Sequence, residues 1–206
     1  VVLAAQTIET RQPKIWISGG NLKEIYEHRQ NFDALKNFFR TLNQCTQMFL
    51  QLPAPTIMQM DGWAIGGGAE LALMCDLRFA TQDSGYDFRQ MKIGSATGLG
   101  GCKRLVSLVG LSKAQEILLT SAKLDAESAK QAMLLHQVFK SNSELYEYIE
   151  SLCERYKEIS LDAIATQKKM FLHPEKELDL FLKQLEDKTY WKFLENFYEK
   201  NMNCQK

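Results

Sequence analysis

Three consecutive glycines followed closely by a carboxylate form the most informative chemical pattern in this sequence. Gly66, Gly67 and Gly68 lead through Ala69 to Glu70, and an apolar run typical of a helix follows. Glycine lets the backbone approach a bound group closely, and a helix N-terminus directs N–H groups and a positive dipole toward the same point. The pattern therefore predicts a site for an oxygen that becomes negative during a reaction.

A second glycine turn follows a β-prone run near the N-terminus. Residues 14–18 are typical of a strand, Gly19 and Gly20 interrupt it, and Asn21 is a suitable N-cap for a helical run. Ligands of open α/β sheets bind at the carboxyl ends of strands, and both glycine turns occupy such positions. We therefore expect backbone N–H groups from the two turns to converge on one oxygen.

The order of the elements that must position these turns predicts an α/β fold. Strand-like and helix-like runs alternate, which implies parallel strands joined by helical crossovers. Residues 1–140 are predicted to form this core, and residues 141–206 a C-terminal helical region broken at Pro174. The predicted strands are 14–18, 56–60 and 77–81, and the predicted helices in the first half include 31–52 and a run from the triple glycine to about Cys75.

Composition excludes several classes of function. Lys and Arg number 25, as do Asp and Glu, so no net charge favours nucleic acid or an acidic membrane surface. No apolar run is long enough to span a bilayer, and the N-terminus lacks the pattern of a signal peptide. Five scattered cysteines favour reduced thiols in the cytoplasm. The histidines, His28, His136 and His173, lack metal-ligand spacing and are predicted to be surface or packing residues.

Residues 61–71 and 75–80 resemble the signature of the enoyl-CoA hydratase/isomerase, or crotonase, superfamily. Residues 18–23 resemble its first oxyanion-hole segment, although Asn21 stands where that family usually has Asp. Further similarities are Gly94, residues 98–105, and Lys168 and Lys169 in the last third of the chain. The resemblance runs from about residue 1 to the end, with one strand–helix–strand unit of roughly 30 residues absent at the front. In the family that unit includes part of the CoA-binding surface.

This resemblance implies a crotonase-like spiral core of ββα type and a C-terminal helical region that forms trimers. The substrate would be an acyl-CoA thioester, with no cofactor or metal, and the assembly a homotrimer or homohexamer. The N–H groups of Ser18 and Gly67 would hold a thioester enolate, and Glu70 would be the general acid or base. The resemblance places further substrate-binding residues at Gly19, Gly20, Asn21, Ile65, Gly66, Gly68 and Gln90.

The chain departs from the family at Gln90, where hydratases usually carry a second glutamate. Glutamine forms hydrogen bonds but does not shuttle protons at neutral pH, so efficient hydration by two carboxylates is in question. An alignment shifted by a gap would instead place Asp87 in the site. The main hypothesis is an enoyl-CoA hydratase/isomerase-like lyase or isomerase. The alternatives are an alkylmalonyl-CoA decarboxylase, in which departing CO2 leaves the enolate directly, and a catalytically degenerate acyl-CoA-binding protein.

Overall fold

Two four-stranded sheets organise the first part of the chain. The computed structural model describes residues 1–5 and 13–202. The first sheet has the order β1 (Val2–Ala4), β3 (Ile57–Met60), β5 (Leu77–Thr81) and β8 (Gln137–Phe139), and all its pairs are parallel. The second has the order β2 (Ile15–Ile17), β4 (Trp63–Ile65), β6 (Gly85–Asp87) and β7 (Lys123–Asp125), and only the β6–β7 pair is antiparallel.

From β1 to β6 consecutive strands alternate between the two sheets, so each turn of the chain adds one strand to each sheet; β7 then joins the second sheet beside β6, and β8 joins the first beside β5. Strands β3 and β4 are joined by a tight turn at Asp61 and Gly62, and β5 and β6 by residues 82–84. Helices then return the chain to the start of the next strand, as parallel pairing requires. This arrangement confirms the predicted α/β fold with a spiral ββα core. The short strands β4, β6, β7 and β8 were not predicted, because three residues carry little periodic signal.

Helices connect the strands in the first half of the chain and account for most of the second half. The long helix predicted over 31–52 is confirmed as α2, whereas the helix predicted to reach about Cys75 is shorter and ends at Ala72. Helix α4 bends at Gly110, whose φ of 77° and ψ of 164° are not helical. The helices are α1 (Leu22–Glu27), α2 (Phe32–Leu50), α3 (Gly67–Ala72), α4 (Gly101–Leu119), α5 (Ala126–Gln131), α6 (Asn142–Tyr156), α7 (Leu161–Leu172), α8 (Glu177–Leu185) and α9 (Lys188–Met202). Short 3₁₀ helices cover Gln90–Ile93 and Pro174–Lys176.

The hydrophobic core lies beneath the strands that lead into the glycine turns. Met58 and Met60 of β3 and Ala64 of β4 have no exposed surface, and Trp16 of β2 is 4% exposed. Met74, just after α3, is also buried. The sequence-based expectation that these methionines fill the core is confirmed. A packed support on both strands fixes the positions at which the two turns begin.

The chain divides into two compact units. One contains Val1–Leu50 and Thr56–Ile149, and the other contains Gln51–Pro55 and Glu150–Lys206. Both glycine turns belong to the first unit. In the second, α8 and α9 expose large apolar side chains, namely Leu178, Phe181, Leu182, Trp191, Phe193, Leu194, Phe197 and Tyr198. Among the described residues, no helix combines the length and apolar character needed to cross a membrane.

Candidate active site

The first glycine turn connects strand β2 to helix α1. Ser18 follows the last strand residue, and the chain then passes through Gly19 and Gly20 to Asn21. Asn21 caps α1, because its Oδ1 accepts a hydrogen bond from the backbone N–H of Glu24 at 3.4 Å. The N-cap predicted from the sequence is therefore confirmed, and the turn ends at the N-terminus of a helix.

The second glycine turn connects β4 to α3. Gly66 has φ of 55° and ψ of −121°, and α3 begins at Gly67. The N–H groups in the first turn of a helix have no intrahelical acceptor, so the N–H of Gly67 is available to a bound group. Of the ten residues predicted for the site, four (Gly67, Gly68, Glu70 and, as the cap, Gly66) belong to this one helix start.

The two turns are in direct backbone contact. Gly19 has φ of 78°, and a Cβ atom there would lie 2.9 Å from the nitrogen of Gly67 and 3.0 Å from that of Gly68. A Cβ on Gly68 would lie 2.6 Å from the carbonyl oxygen of Ile17. These distances leave no room for a side chain, which explains the glycines. The convergence of the two turns predicted from the sequence is thus present in the fold.

The carboxylate of Glu70 accepts four hydrogen bonds. Its Oε1 accepts from Gln90 Nε2 at 3.1 Å and from the N–H of Gly98 at 3.3 Å. Its Oε2 accepts from the N–H groups of Leu99 at 2.9 Å and Gly101 at 3.0 Å. A carboxylate offers about four lone-pair positions in total, so all of them are occupied. Glu70 is 2% exposed, and its charge is compensated by these donors and by the N-terminus of α3.

The second glycine-rich segment, 94–101, is shaped around Glu70. A Cβ atom on Gly101 would lie 2.4 Å from Cγ of Glu70 and 2.7 Å from its Oε2. Gly100, with φ of 90°, caps α4 and turns the chain so that three backbone N–H groups point at one carboxylate. This segment therefore depends on Glu70 for its hydrogen bonds, and Glu70 depends on the segment for its position.

Gln90 faces Glu70 at the start of the 3₁₀ helix. Its side-chain nitrogen donates to the carboxylate, and the opposite orientation would place its amide oxygen against a negative charge. The residue is 7% exposed, and its Oε1 atom is buried with no hydrogen-bond partner among the described residues. Gln90 thus occupies the position across from Glu70 as a donor, without an ionisable group.

A cavity of about 400 Å³ opens between the glycine turns, helices α1 and α2, and the 94–101 segment. Five of the predicted site residues line it: Gly20, Asn21, Gly67, Glu70 and Gln90. Ser18, Gly19, Ile65, Gly66 and Gly68 lie in the turns behind and are not among its lining residues. The remaining walls are mainly apolar, formed by Leu22, Ile25, Ala34, Leu35, Phe38, Phe39, Leu42, Ile93, Ala96 and Leu99, with Glu24, His28, Ser95 and Gly98.

Asp87, the alternative second carboxylate, lies elsewhere. It is the last residue of β6 and 1% exposed, and its Oδ2 pairs with Arg89 and, at 3.8 Å, with Lys123. Asp87 is not among the residues that line the cavity. Its Oδ1 has no partner among the described residues. The aligned position of Gln90 is therefore the one that reaches Glu70.

Two cavity residues, Glu24 and His28, were missed by the sequence analysis. His28 is exposed, in agreement with the prediction of a surface or packing residue, and it also lines the cavity together with Glu24. The two residues are four positions apart on α1, which begins directly after the first glycine turn. Their i, i+4 spacing on a helix that leaves the predicted site was the available signal. Within residues 1–5 and 13–202, no three His, Cys, Asp or Glu side chains cluster closely enough to hold a metal ion.

Lys168, which the sequence suggested could meet CoA phosphates or lie on a solvated face, is buried. Its Nζ donates to the carbonyl oxygen of Ala54 at 2.9 Å. It helps fasten the segment between α2 and β3 to helix α7. That contact explains the residue without a ligand.

Comparison with known proteins agrees with this geometry. The model of the enoyl-CoA hydratase/isomerase family matches residues 4–199. Mouse mitochondrial methylglutaconyl-CoA hydratase is 33% identical over 137 residues, which are 66% of this chain and 43% of that protein. An enoyl-CoA isomerase/hydratase of Mycosarcoma maydis is 36% identical over 122 residues, 59% of this chain and 44% of that protein. The chain thus spans less than half the length of these curated relatives in the matched region.

Solved structures show the same fold. Enoyl-CoA hydratase subunit I of Geobacillus kaustophilus superposes with a TM-score of 0.78 at 25% identity, covering 97% of this chain and 77% of that one. A Thermobifida fusca protein described as an enoyl-CoA hydratase, solved with acetoacetyl-CoA, gives a TM-score of 0.69 at 25% identity over 75% of this chain and 64% of that one. Since the family model matches nearly the whole chain and the glycine turns meet as that fold requires, the chain belongs to the enoyl-CoA hydratase/isomerase family.

Proposed function

We propose that this chain converts an acyl-CoA thioester by stabilising its enolate in an oxyanion hole made of the Ser18 and Gly67 N–H groups. The observation that carries the proposal is the contact between the two glycine turns, which brings Gly19 against the amides at the start of α3. Gly67 also lines the cavity beside Glu70. An oxygen bound at this point would receive an N–H hydrogen bond and the positive end of the α3 dipole.

In isomerisation and decarboxylation the enolate forms when the thioester loses a proton or CO2 from C2, its α carbon, whereas in hydration it forms when water adds to C3 and the C2=C3 π bond breaks. The electron pair of the broken bond moves onto the carbonyl oxygen, and preorganised N–H groups stabilise the charge that develops there. Gly20 and Asn21 on one side and Gln90 on the other would hold the acyl part in the cavity, with Gly19, Ile65, Gly66 and Gly68 shaping the backbone behind it. The apolar wall contributed by α2 suits an acyl chain.

Within the family's chemistry, an enoyl-CoA hydratase/isomerase-like reaction is the main candidate, with Glu70 as general acid or base. Glu70 would take a proton by giving up one of its four hydrogen bonds, and the 3.3 Å contact with Gly98 is the longest of them. Isomerisation needs one group that takes a proton and returns it. Gln90 opposite Glu70 therefore favours isomerisation over hydration by two carboxylates.

Decarboxylation of an alkylmalonyl-CoA is the second candidate. The saturated hydrogen bonding of Glu70 and the amide of Gln90 favour it, because loss of CO2 creates the enolate without a side-chain base. The oxyanion hole alone would then provide the main stabilisation. In both candidates the Ser18 and Gly67 amides keep the same task.

The test is a substrate panel of enoyl-CoA, 3-enoyl-CoA and alkylmalonyl-CoA esters, with CoA-ester binding measured in parallel. Turnover of enoyl esters supports the main candidate, and turnover of malonyl esters alone selects the decarboxylase. Binding without turnover on every ester would reject both and leave a catalytically degenerate acyl-CoA-binding protein. Gln90→Glu is the informative variant, because it restores a second carboxylate next to Glu70 and should raise hydration relative to the other reactions.

The remaining expectations concern the protein's surroundings. We propose that the protein uses no metal or redox cofactor, with the CoA thioester as its substrate. We also propose that it acts in the cytoplasm without binding nucleic acid. A homotrimer or homohexamer would cover the exposed apolar side chains of α8 and α9. Sedimentation velocity measures that assembly directly, and a monomer at micromolar concentration would contradict it.

A further inference from the structure

Helix α1 brings an imidazole to the cavity wall. His28 stands at the C-terminal end of α1 and lines the cavity along with Glu70 and Gln90. Glu24, one turn earlier, lines it too. Glu24, His28 and Glu70 are the only His, Asp or Glu residues among the described cavity-lining residues. The cavity therefore holds two more ionisable bases, Glu24 and His28, than the glycine motifs suggested.

The tautomer of His28 is set by its backbone contact. Its Nδ1 lies 2.9 Å from the carbonyl oxygen of Glu24, and a carbonyl only accepts hydrogen bonds. Nδ1 must therefore carry the proton, which leaves a lone pair on Nε2 in the neutral ring. A base whose second nitrogen is held by a fixed acceptor is the arrangement expected of an oriented proton-transfer group.

The other groups at the site are poorly suited to take a proton first. Gln90 has no ionisable group, and Glu70 already accepts four hydrogen bonds. Glu24 lies in the first turn of α1, where its negative charge is stabilised by the helix N-terminus. Among the described cavity-lining bases, only Glu24 and Nε2 of His28 have no described side-chain hydrogen bond to give up on protonation, and His28 stands at the end of α1 away from its N-terminus.

We propose that His28, rather than Glu70, exchanges the proton at the α carbon of the bound thioester, in place of the family's second glutamate. The C2–H bond breaks, its electron pair moves to form the enolate oxygen held by the two amides, and the proton passes to Nε2. The resulting imidazolium returns the proton to C2 or delivers it to C4. This inference rests on the proposed function, because it requires an enolate in the oxyanion hole.

Two carboxylates share the cavity with His28. Glu24 on its own helix and Glu70 on α3 are both lining residues. The cation next in sequence, Arg29, is turned onto the ring of Tyr26, 4.1 Å from its centroid. Lys23 and Glu27 pair with each other at 3.8 Å. Neither Lys23 nor Arg29 is among the residues that line the cavity.

The experiment follows exchange of the α proton of a saturated acyl-CoA for deuterium in D2O by NMR, alongside calorimetric binding of the same ester. His28→Asn is the main variant, because an asparagine amide can keep the hydrogen bond to Glu24 while Nε2 is lost. Exchange should slow by about 10²-fold or more, with binding retained.

Three further arms separate this role from a structural one. Added imidazole should restore exchange in His28→Ala, whereas Glu27→Gln, on α1 but away from the cavity, should exchange like wild type. Unchanged exchange in His28→Asn, or loss in Glu24→Gln alone, would overturn the assignment of His28. Absence of exchange in wild type despite binding would overturn it as well and would reject the isomerase candidate, leaving decarboxylation, which needs no side-chain base.

Discussion

Replacing Gly67 with proline removes a single N–H group from the proposed oxyanion hole. Proline is tolerated at the first position of a helix, where α3 begins. The residue before a proline is restricted to extended conformations, and Gly66, with φ of 55° and ψ of −121°, takes the mirror image of one, which glycine permits. The backbone of this turn is therefore compatible with the change, and Gly67→Pro is expected to fold.

The Cβ atom that proline adds does not crowd its neighbours, so the expected loss comes from the nitrogen, where Cδ replaces the hydrogen of the missing donor. A Cβ atom at position 67 would lie 3.6 Å from Cδ1 of Leu99 and 3.7 Å from Cα of Gly19, which are ordinary contacts. Gly67→Ala therefore provides the reference, because it adds the same Cβ and retains the N–H. Loss of one oxyanion donor costs about 2.7–4 kcal/mol, or roughly 10²–10³-fold in kcat. We expect that ratio between the alanine and proline variants.

The assay measures kcat and KM on the best ester from the substrate panel, with thermal unfolding of each variant to verify folding. The loss should fall on kcat, because the hydrogen bond strengthens as the oxygen becomes negative. If folded Gly67→Pro and Gly67→Ala turned over at the same rate, the Gly67 N–H would have no part in catalysis. The donor would then have to come from the first turn, where Gly20 and Asn21 line the cavity.

Three other changes test the construction of the site and its support. Gly19→Ala places a Cβ 2.9 Å from the Gly67 nitrogen at a φ of 78° and should lower the free energy of unfolding by about 1–3 kcal/mol. Gly20→Ala is the control, because its Cβ would meet nothing closer than Ile25 at 3.4 Å, and it should lower the free energy of unfolding less. Equal losses in the two variants would contradict the close contact between Gly19 and the start of α3. Glu70→Ala leaves four donors without an acceptor and should cost about 2–4 kcal/mol in urea unfolding, so a neutral result would show that these bonds contribute nothing. Burial and the charge of Arg78 lower the pKa of His136, whose Nδ1 accepts a hydrogen bond from the Arg78 backbone N–H. The neutral His136 ring therefore contributes its full stabilisation to the fold above the ordinary imidazole range, and this contribution is lost as pH falls below that range. Between pH 7.5 and 5.5 the free energy of unfolding should fall less in His136→Gln than in wild type. An equal fall in both proteins would show that His136 does not cause the pH dependence.

The sequence predicted the scaffold well where its signals were local. Asn21 was recognisable as an N-cap by its type and by the helical run that follows, and α2 by the periodic spacing of its apolar residues. Strands β3 and β5 were found because their β-prone residues form compact runs. Four of the three-residue strands, β4, β6, β7 and β8, were missed, since their conformation is imposed by pairing with neighbours far along the chain.

In the candidate site, too, the features with local signals were predicted and those that depend on distant residues were not. The triple glycine, the turn at Gly19 and the carboxylate of Glu70 were all readable, because each turn needs residue types that few other contexts require. Gln90 was identified only through its resemblance to a family position. The cavity-facing side of α1 was not foreseen, because the i, i+4 spacing of Glu24 and His28 is equally common on helices that face only solvent.

What the sequence determined by itself is therefore the chemistry that the backbone can offer: two glycine turns at strand ends, each opening a helix, and one acidic side chain in the first turn of α3. The tertiary structure decided how that chemistry is used. It placed the two turns in contact and supplied Glu70 with four hydrogen-bond donors from residues 20 to 31 positions away. It also placed Asp87 in an ion pair with Arg89 and His28 on the cavity wall. The physical reason is that turn and cap preferences act over a few residues, whereas a hydrogen-bonded site is assembled across the fold.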